Sequence, residues 1–156
     1  MSHPQSLPSL SDREAITDTV HRALLGFDRN DVPLFNSAFI AAQERMLFSM
    51  NEKEIHGLAA VRSQLLDFVG PMDTTHMISN VRIELKEGAE TAKLNCYALA
   101  QHCPAGTGRD GAGKKYLAAS EYWIDVVKEG GDWRIEKWVM KVIWTQGDVE
   151  VMQRPS

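Results

Sequence analysis

Scarcities narrow this chain before any motif does. Only two of the 156 residues are cysteine, Cys96 and Cys103. Their spacing matches neither a disulfide framework nor a zinc motif, so a reducing, cytoplasmic setting is the default expectation. No basic run occurs, and 21 acidic against 17 basic residues leave a formal net charge of −4. A nucleic-acid partner needs a basic patch or stripe, so none is expected. No apolar stretch approaches the roughly 20 residues that span a bilayer, which leaves no membrane partner to expect. Residues Met1 to Leu10 are polar, carry Pro4 and Pro8, and lack the apolar block of a secretory signal. Neither an internal repeat nor an interdomain linker is present.

What is there reads as one ordinary domain. An apolar fraction of 44% over this length supports a single core. Residues 1–10 are expected as a disordered lead-in, 11–148 as the domain and 149–156 as a C-terminal tail. Ser11 and Glu14 form an S-x-x-E capping box. Ile16, Val20, Ala23, Leu24 and Phe27 follow at helical spacing, and Asp28 falls on the margin of their stripe. Asp31 caps a short second helix with Pro33 in its first turn. Residues 44–51 suit a short strand. Leu58, Val61, Leu65 and Phe68 mark another helix over 57–69, which Gly70-Pro71 stops. The period then changes to two, predicting strands near 76–86, 91–103, 115–128 and 132–146. Helices followed by long strands imply α+β with a mostly antiparallel sheet, bent around the helices at bulges.

Strand phase carries functional information. On 91–103 one face reads Ala92, Leu94, Cys96, Ala98, Ala100, His102. Small side chains there predict a pocket against the helices. The inner face of 115–128 would hold Tyr116, Ala118, Ser120, Tyr122 and Ile124. On the last strand Trp138, Met140, Val142 and Trp144 would share a face. These faces make Ser120, Tyr122, Trp138, Met140 and Trp144 candidate substrate-binding residues, together with Phe27.

Three ionisable residues in three segments are the candidate chemistry: Asp28 at the end of the first helix, and His76 and His102 on strands. A carboxylate beside an imidazole moves protons near neutral pH, because the carboxylate sets the ring's tautomer. Each residue also has a plain reading, as a helix-end cap, a strand-end histidine bonded to backbone, and a satisfied core histidine. His3, His21 and His56 read as tail or surface residues. Cys103 next to His102 does not make a thiol–imidazole dyad, since adjacent strand residues face opposite ways. The Gly106–Gly113 segment precedes a strand rather than a helix, so it reads as a flexible hairpin connection, not a phosphate cradle. Two histidines and one carboxylate are also an iron ligand set. The usual His and carboxylate two residues apart is missing, so a metal-free site without a cofactor is expected.

The phrases Phe27-Asp28-Arg29-Asn30-Asp31, Thr74-Thr75-His76-Met77-Ile78, Gln101-His102 and Asp132-Trp133-Arg134-Ile135, with this order of elements, resemble the SnoaL-like group of the nuclear-transport-factor-2-like (NTF2-like) fold. Within it they are similar to scytalone dehydratase and related fungal biosynthetic proteins. The resemblance spans about residues 11–146. It implies a cone of curved sheet around helices, and a site in which Asp28, His76 and His102 surround a bound water. A departure accompanies it. The dehydratase has tyrosines before the Asp and on the first strand, where this chain has Phe27 and no tyrosine over 44–51. Carbonyl polarisation would have to come from Tyr122 or Ser120, and scytalone itself is not expected as substrate.

The expected function is a dehydratase, isomerase or cyclase acting on a small polyketide- or terpenoid-derived molecule of secondary metabolism. In the expected mechanism His102, with Asp28 nearby, removes a proton beside a carbonyl, and His76 donates a proton or holds water. The alternative is a non-catalytic module that binds a small ligand or dimerises. Apolar residues on the far face of the last strands, including Tyr97, Leu99, Val139 and Ile143, predict a homodimer.

Overall fold

A computed structural model describes residues 3–154. Helix α1 (Asp12–Arg29) begins where the capping box places it: the Ser11 hydroxyl accepts the Glu14 N–H, and the Ser11 N–H donates to Glu14 Oε2 at 2.7 Å. The predicted stripe is buried, with Ile16, Val20 and Ala23 fully inaccessible. Burial of a large aliphatic or aromatic side chain contributes about 1.5–3 kcal/mol, so the stripe rather than helix propensity docks α1. Asn30, in the left-handed region at φ 51°, ends the helix. Asp28 therefore lies inside its last turn. Helix α2 (Val32–Ser37) is capped by Asp31, whose Oδ1 accepts the Leu34 N–H at 3.0 Å. Gly26 lets α2 close on α1, since a Cβ there would stand 2.6 Å from that of Phe35.

Strand β1 (Leu47–Met50) is shorter than expected and follows a 3₁₀ turn at Gln43–Arg45. Its hairpin partner β2 (Lys53–His56) was not anticipated. The connection uses Asn51 at φ 47° and Glu52 at φ 74°, a turn with positive φ at both positions but without the usual glycine. Residues 58–69 form one helix, α3, whose ends (Leu58–Val61 and Asp67–Val69) are α-helical and whose middle (Arg62–Leu66) is π-helical.

Four long strands follow: β3 (Asp73–Glu84), β4 (Thr91–Cys103), β5 (Tyr116–Glu129) and β6 (Asp132–Gly147). One six-stranded sheet results, in the order β2-β1-β6-β5-β4-β3. All neighbours are antiparallel except β1 and β6. The inner face packs on the helices in one core, with Leu94, Ile124, Trp133 and Ile135 among its most buried residues. The α+β, NTF2-like architecture expected from the sequence is thus the observed one. A 3₁₀ turn over Val149–Met152 buries Val151 after the last strand.

Two features of this sheet position chemistry. First, β3 is an edge strand, and α1 lies along it. Arg13 Nη1 donates to the Ile83 carbonyl at 2.8 Å, and the His76 N–H donates to Asp28 Oδ2 at 2.9 Å. Edge backbone groups that would otherwise invite another strand are covered by side chains of α1. Second, a bulge separates Trp144 from its expected face. Ala119 pairs with Trp144 but Ser120 pairs with Val142, leaving Ile143 as the extra residue of β6. A bulge reverses the alternation beyond it. Trp138 and Met140 stay inward, whereas Trp144 turns to the outer face and is 48% exposed. The expectation that Trp144 lines the interior with them is corrected accordingly.

Candidate active site

The site is built where the last turn of α1 meets the start of β3. Asp28 Oδ1 accepts from Thr74 Oγ1 at 2.8 Å and from His76 Nδ1 at 2.6 Å, while Oδ2 accepts the His76 N–H at 2.9 Å. Both oxygens are thus used as acceptors. Asp28 fixes the proton of His76 on Nδ1 and leaves the lone pair on Nε2. The pair is well shielded, with the His76 and Asp28 side chains 9% and 13% exposed. Phe27, one residue earlier on α1, stacks on the His76 ring with centroids 5.7 Å apart.

His102 reaches the same place from β4. It stands opposite Thr74 on one side and Tyr116 on the other. Its Nδ1 lies 3.2 Å from the Tyr116 carbonyl, an acceptor, so this ring also carries its proton on Nδ1. The two imidazoles meet edge to face, centroids 5.6 Å apart at 86°. Neither Nε2 has a hydrogen-bond partner among the described residues. Two imidazoles therefore direct their Nδ1 protons into the protein and keep Nε2 free for a ligand.

Burial first, and then the neighbouring His76, pull the His102 ionisation below its ordinary 6.5, against the Tyr116 carbonyl and Asp28. His102 is thus neutral at pH 7. The unfolded chain takes up this proton first as pH falls, so stability is full above about 6.5 and declines below it. Thermal melts from neutral to mildly acidic pH should show this decline, reduced in His102→Phe. An identical decline in the variant would contradict the assignment.

The other predicted side chains extend this interior. Tyr122 is 3% exposed, and its phenol is pushed up by burial first and then by Cys96 and Asp28. It stays a protonated donor throughout the working range. Cys96 is likewise pushed up to about 12 by burial, which makes it an unreactive thiol. Trp138 packs edge-on against Tyr122 at 5.0 Å, and its indole N–H is buried without a partner. Ser120 is 4% exposed on the same face of β5, and Met140 packs against the core beside them.

Three observations depart from the sequence reading. Asp28 pairs with His76, not with His102. The reason is topological: β3 is the edge strand that α1 covers, while β4 lies one strand further in. Thr74 belongs to the site although the sequence reading assigned it no role, and the only signal was its place two residues before His76, on the same strand face. Finally, three described clefts, of about 560, 170 and 310 Å³, lie elsewhere, none lined by Asp28, His76 or His102. No group of three or more His, Cys, Asp or Glu side chains is placed to hold a metal ion among the described residues.

Thr74 offers a direct test. Thr74→Val removes one donor from Asp28 and preserves volume. It should cost about 1.5–3 kcal/mol in denaturant unfolding, the range for a hydrogen bond to a charged group, and Thr74→Ser should restore most of it. A valine variant as stable as wild type would show that this bond contributes nothing.

Comparison with known proteins identifies the family. The SnoaL-like domain model matches residues 8–139. The Terrestric acid biosynthesis cluster protein E of Penicillium crustosum is 36% identical over 148 residues, covering 93% of this chain and 92% of that protein. Among solved structures, a provisionally named scytalone dehydratase from Novosphingobium aromaticivorans DSM 12444 superimposes with a TM-score of 0.71 at 20% identity, over 86% of each chain. The hexachlorocyclohexane dehydrochlorinase LinA-type3 from Novosphingobium barchaimii LL02 does so with 0.69 at 17% identity, over 92% of this chain and 94% of that one. The two structures share the fold. The family match covers most of the chain and includes every segment that builds the site except the end of β6, and on that ground the chain belongs to the SnoaL-like domain family.

Proposed function

We propose that the chain is a cofactor-free acid–base enzyme of secondary metabolism, a dehydratase, isomerase or cyclase of a small polyketide- or terpenoid-derived carbonyl compound. The observation that carries this reading is the Asp28–His76–His102 constellation, with both Nε2 atoms unpaired. The biosynthetic role of the Penicillium relative supports the metabolic setting. Family membership supports the reaction kind.

In this reading His76 Nε2 takes a proton from the carbon next to the carbonyl. Asp28 stabilises the imidazolium that forms and keeps the ring oriented. The electron pair moves onto the carbonyl oxygen, toward which Tyr122 donates its phenolic O–H. In a dehydration the enolate pair returns to form the C=C bond and the β C–O bond breaks. The proton on His76 then leaves with the oxygen as water, and His102 Nε2 accepts a hydrogen bond from that hydroxyl. In an isomerisation the same proton is returned to another carbon. His76 thus takes the base role that the sequence reading gave to His102. Conversion of an intermediate accumulated by a strain lacking the protein tests this reading. If purified protein leaves that extract unchanged, the enzyme reading fails.

One observation favours the second reading, a non-catalytic ligand-binding or dimerisation module: the described clefts do not open on the constellation. A binding module would hold the extracted intermediate without converting it.

A further inference from the structure

One polar atom in the interior serves no contact of the fold. Trp138 is 2% exposed, and its indole N–H is shut off from water without a hydrogen-bond partner among the described residues. The residue stands opposite Ile124 of β5 and Phe48 of β1, and its ring meets those of Tyr122 and Phe48 at centroid distances of 5.0 and 5.8 Å. The other buried indole, that of Trp133, donates to Asp12 Oδ1 at 2.9 Å. An indole N–H can only donate, and a buried donor left unpaired carries its full desolvation cost. Packing alone would be served as well by a ring without the nitrogen. Such a group calls for a partner that the folded chain itself does not supply.

We propose that the Trp138 N–H binds an acceptor oxygen of the substrate away from the reacting carbon, which selects an oxygenated, polyketide-type molecule over a terpenoid skeleton. The inference rests on the acid–base reading of the Asp28–His76–His102 site. Register gives the depth. His76 stands level with Ala100 and Ala118, Tyr122 lies four residues further along β5, and Trp138, opposite Ile124, lies six further. The indole is thus one step beyond Tyr122 as counted from the imidazoles. Over that interval the inner face is floored by Ala98, Ala100, Ala118 and Ser120, side chains that take up little room. Tyr122 and Trp138 are adjacent donors, and adjacent donors suit two oxygens a few bonds apart. Polyketide assembly leaves oxygen on alternate carbons. A terpenoid skeleton is mostly hydrocarbon and would keep the N–H buried without relief. A site with a buried donor rejects the analogue that lacks the matching acceptor. Strand phase places Trp138 on this face as a lining residue; the unpaired donor, and the ligand chemistry it demands, appear only in the structure.

The test compares 2,2-dimethylindane-1,3-dione with 2,2-dimethylindan-1-one. The two share a bicyclic shape and one ketone, and differ in a second carbonyl on the alternate carbon. Neither has a hydrogen beside a carbonyl, so neither can be enolised during the measurement. The full chain, labelled with nitrogen-15, gives one indole N–H signal for each of its four tryptophans. The Trp138 signal is identified by its contacts with the Tyr122 ring, and Trp133, already bonded to Asp12, is the internal reference. The dione should move the Trp138 proton downfield, and the monoketone should not. The dione should also bind about three- to tenfold more tightly, the worth of one neutral hydrogen bond. Trp138→Phe should abolish that preference while still binding the monoketone and melting cooperatively; if it does not fold, the wild-type signals decide. A Trp138 proton that responds equally to both ketones would overturn the proposal. So would one that lies far upfield and ignores the dione, because the N–H is then held by the face of the Tyr122 or Phe48 ring. Failure of the enzyme reading is distinct: the accumulated intermediate stays unconverted, whatever the indole signals show.

Discussion

Asp28→Asn is expected to lower turnover of the accumulated intermediate by about 10²–10⁴, the range over which positioned proton transfer contributes to rate. The argument starts from hydrogen-bond inventory. The carboxylate accepts from Thr74 Oγ1, His76 Nδ1 and the His76 N–H. An asparagine supplies one acceptor oxygen and an NH₂ donor in its place. If the oxygen keeps Thr74 and the ring, the NH₂ meets the His76 N–H, two donors face to face. If it turns, the NH₂ donates to Nδ1 and moves the ring proton to Nε2, where no base remains. Either arrangement costs stability as well, about 1–3 kcal/mol for an unsatisfied buried group. The substitution is therefore not structurally silent, contrary to what a purely catalytic aspartate would allow. Nitrogen chemical shifts of the His76 ring distinguish the effects, because they report which nitrogen carries the proton. Wild-type turnover together with an unshifted tautomer would remove Asp28 from the mechanism.

His76→Ala is expected to be the most damaging single change, and to make Asp28→Asn redundant. Asp28 acts through the imidazole, so the double variant should turn over no more slowly than His76→Ala alone. His102→Ala should also remove most activity, but independently of Asp28, because no direct contact joins them. Acidification provides a second readout. The His102 ionisation is pulled below 6.5, so its Nε2 remains an acceptor as pH falls to that value, and the rate limb it governs lies on the acid side. His102→Gln, which keeps an acceptor but does not titrate, should lose that limb. Full additivity of the Asp28 and His76 losses would mean that the two residues do not work as one unit.

How much of this was readable in advance depends on the range of the interactions involved. The capping box at Ser11, the stripe from Ile16 to Phe27, the Asp31 cap and the alternation on β4 are set by neighbours a few residues apart, and all appear as expected. The β1–β2 hairpin did not show, because its strands are four residues long and its turn lacks glycine. Nor did the π-helical middle of α3, which keeps the same apolar spacing as an α-helix to within a residue. Trp144 was placed on the wrong face because a single extra residue in a strand leaves no trace in composition.

The constellation divides along the same line. By itself the sequence determined that Asp28, His76 and His102 exist on elements of a SnoaL-like fold, that His102 faces inward among alanines, and that no basic run or membrane-length segment competes for a role. Tertiary structure alone decided who pairs with whom. β3 became the edge strand, α1 covered that edge, and the free N–H of His76 turned toward Asp28 rather than toward β4. Periodicity encodes which face a side chain takes, a property of one element. Pairing depends on the order of strands in the sheet, which is settled by burial summed over the whole chain and is written in no local stretch of it.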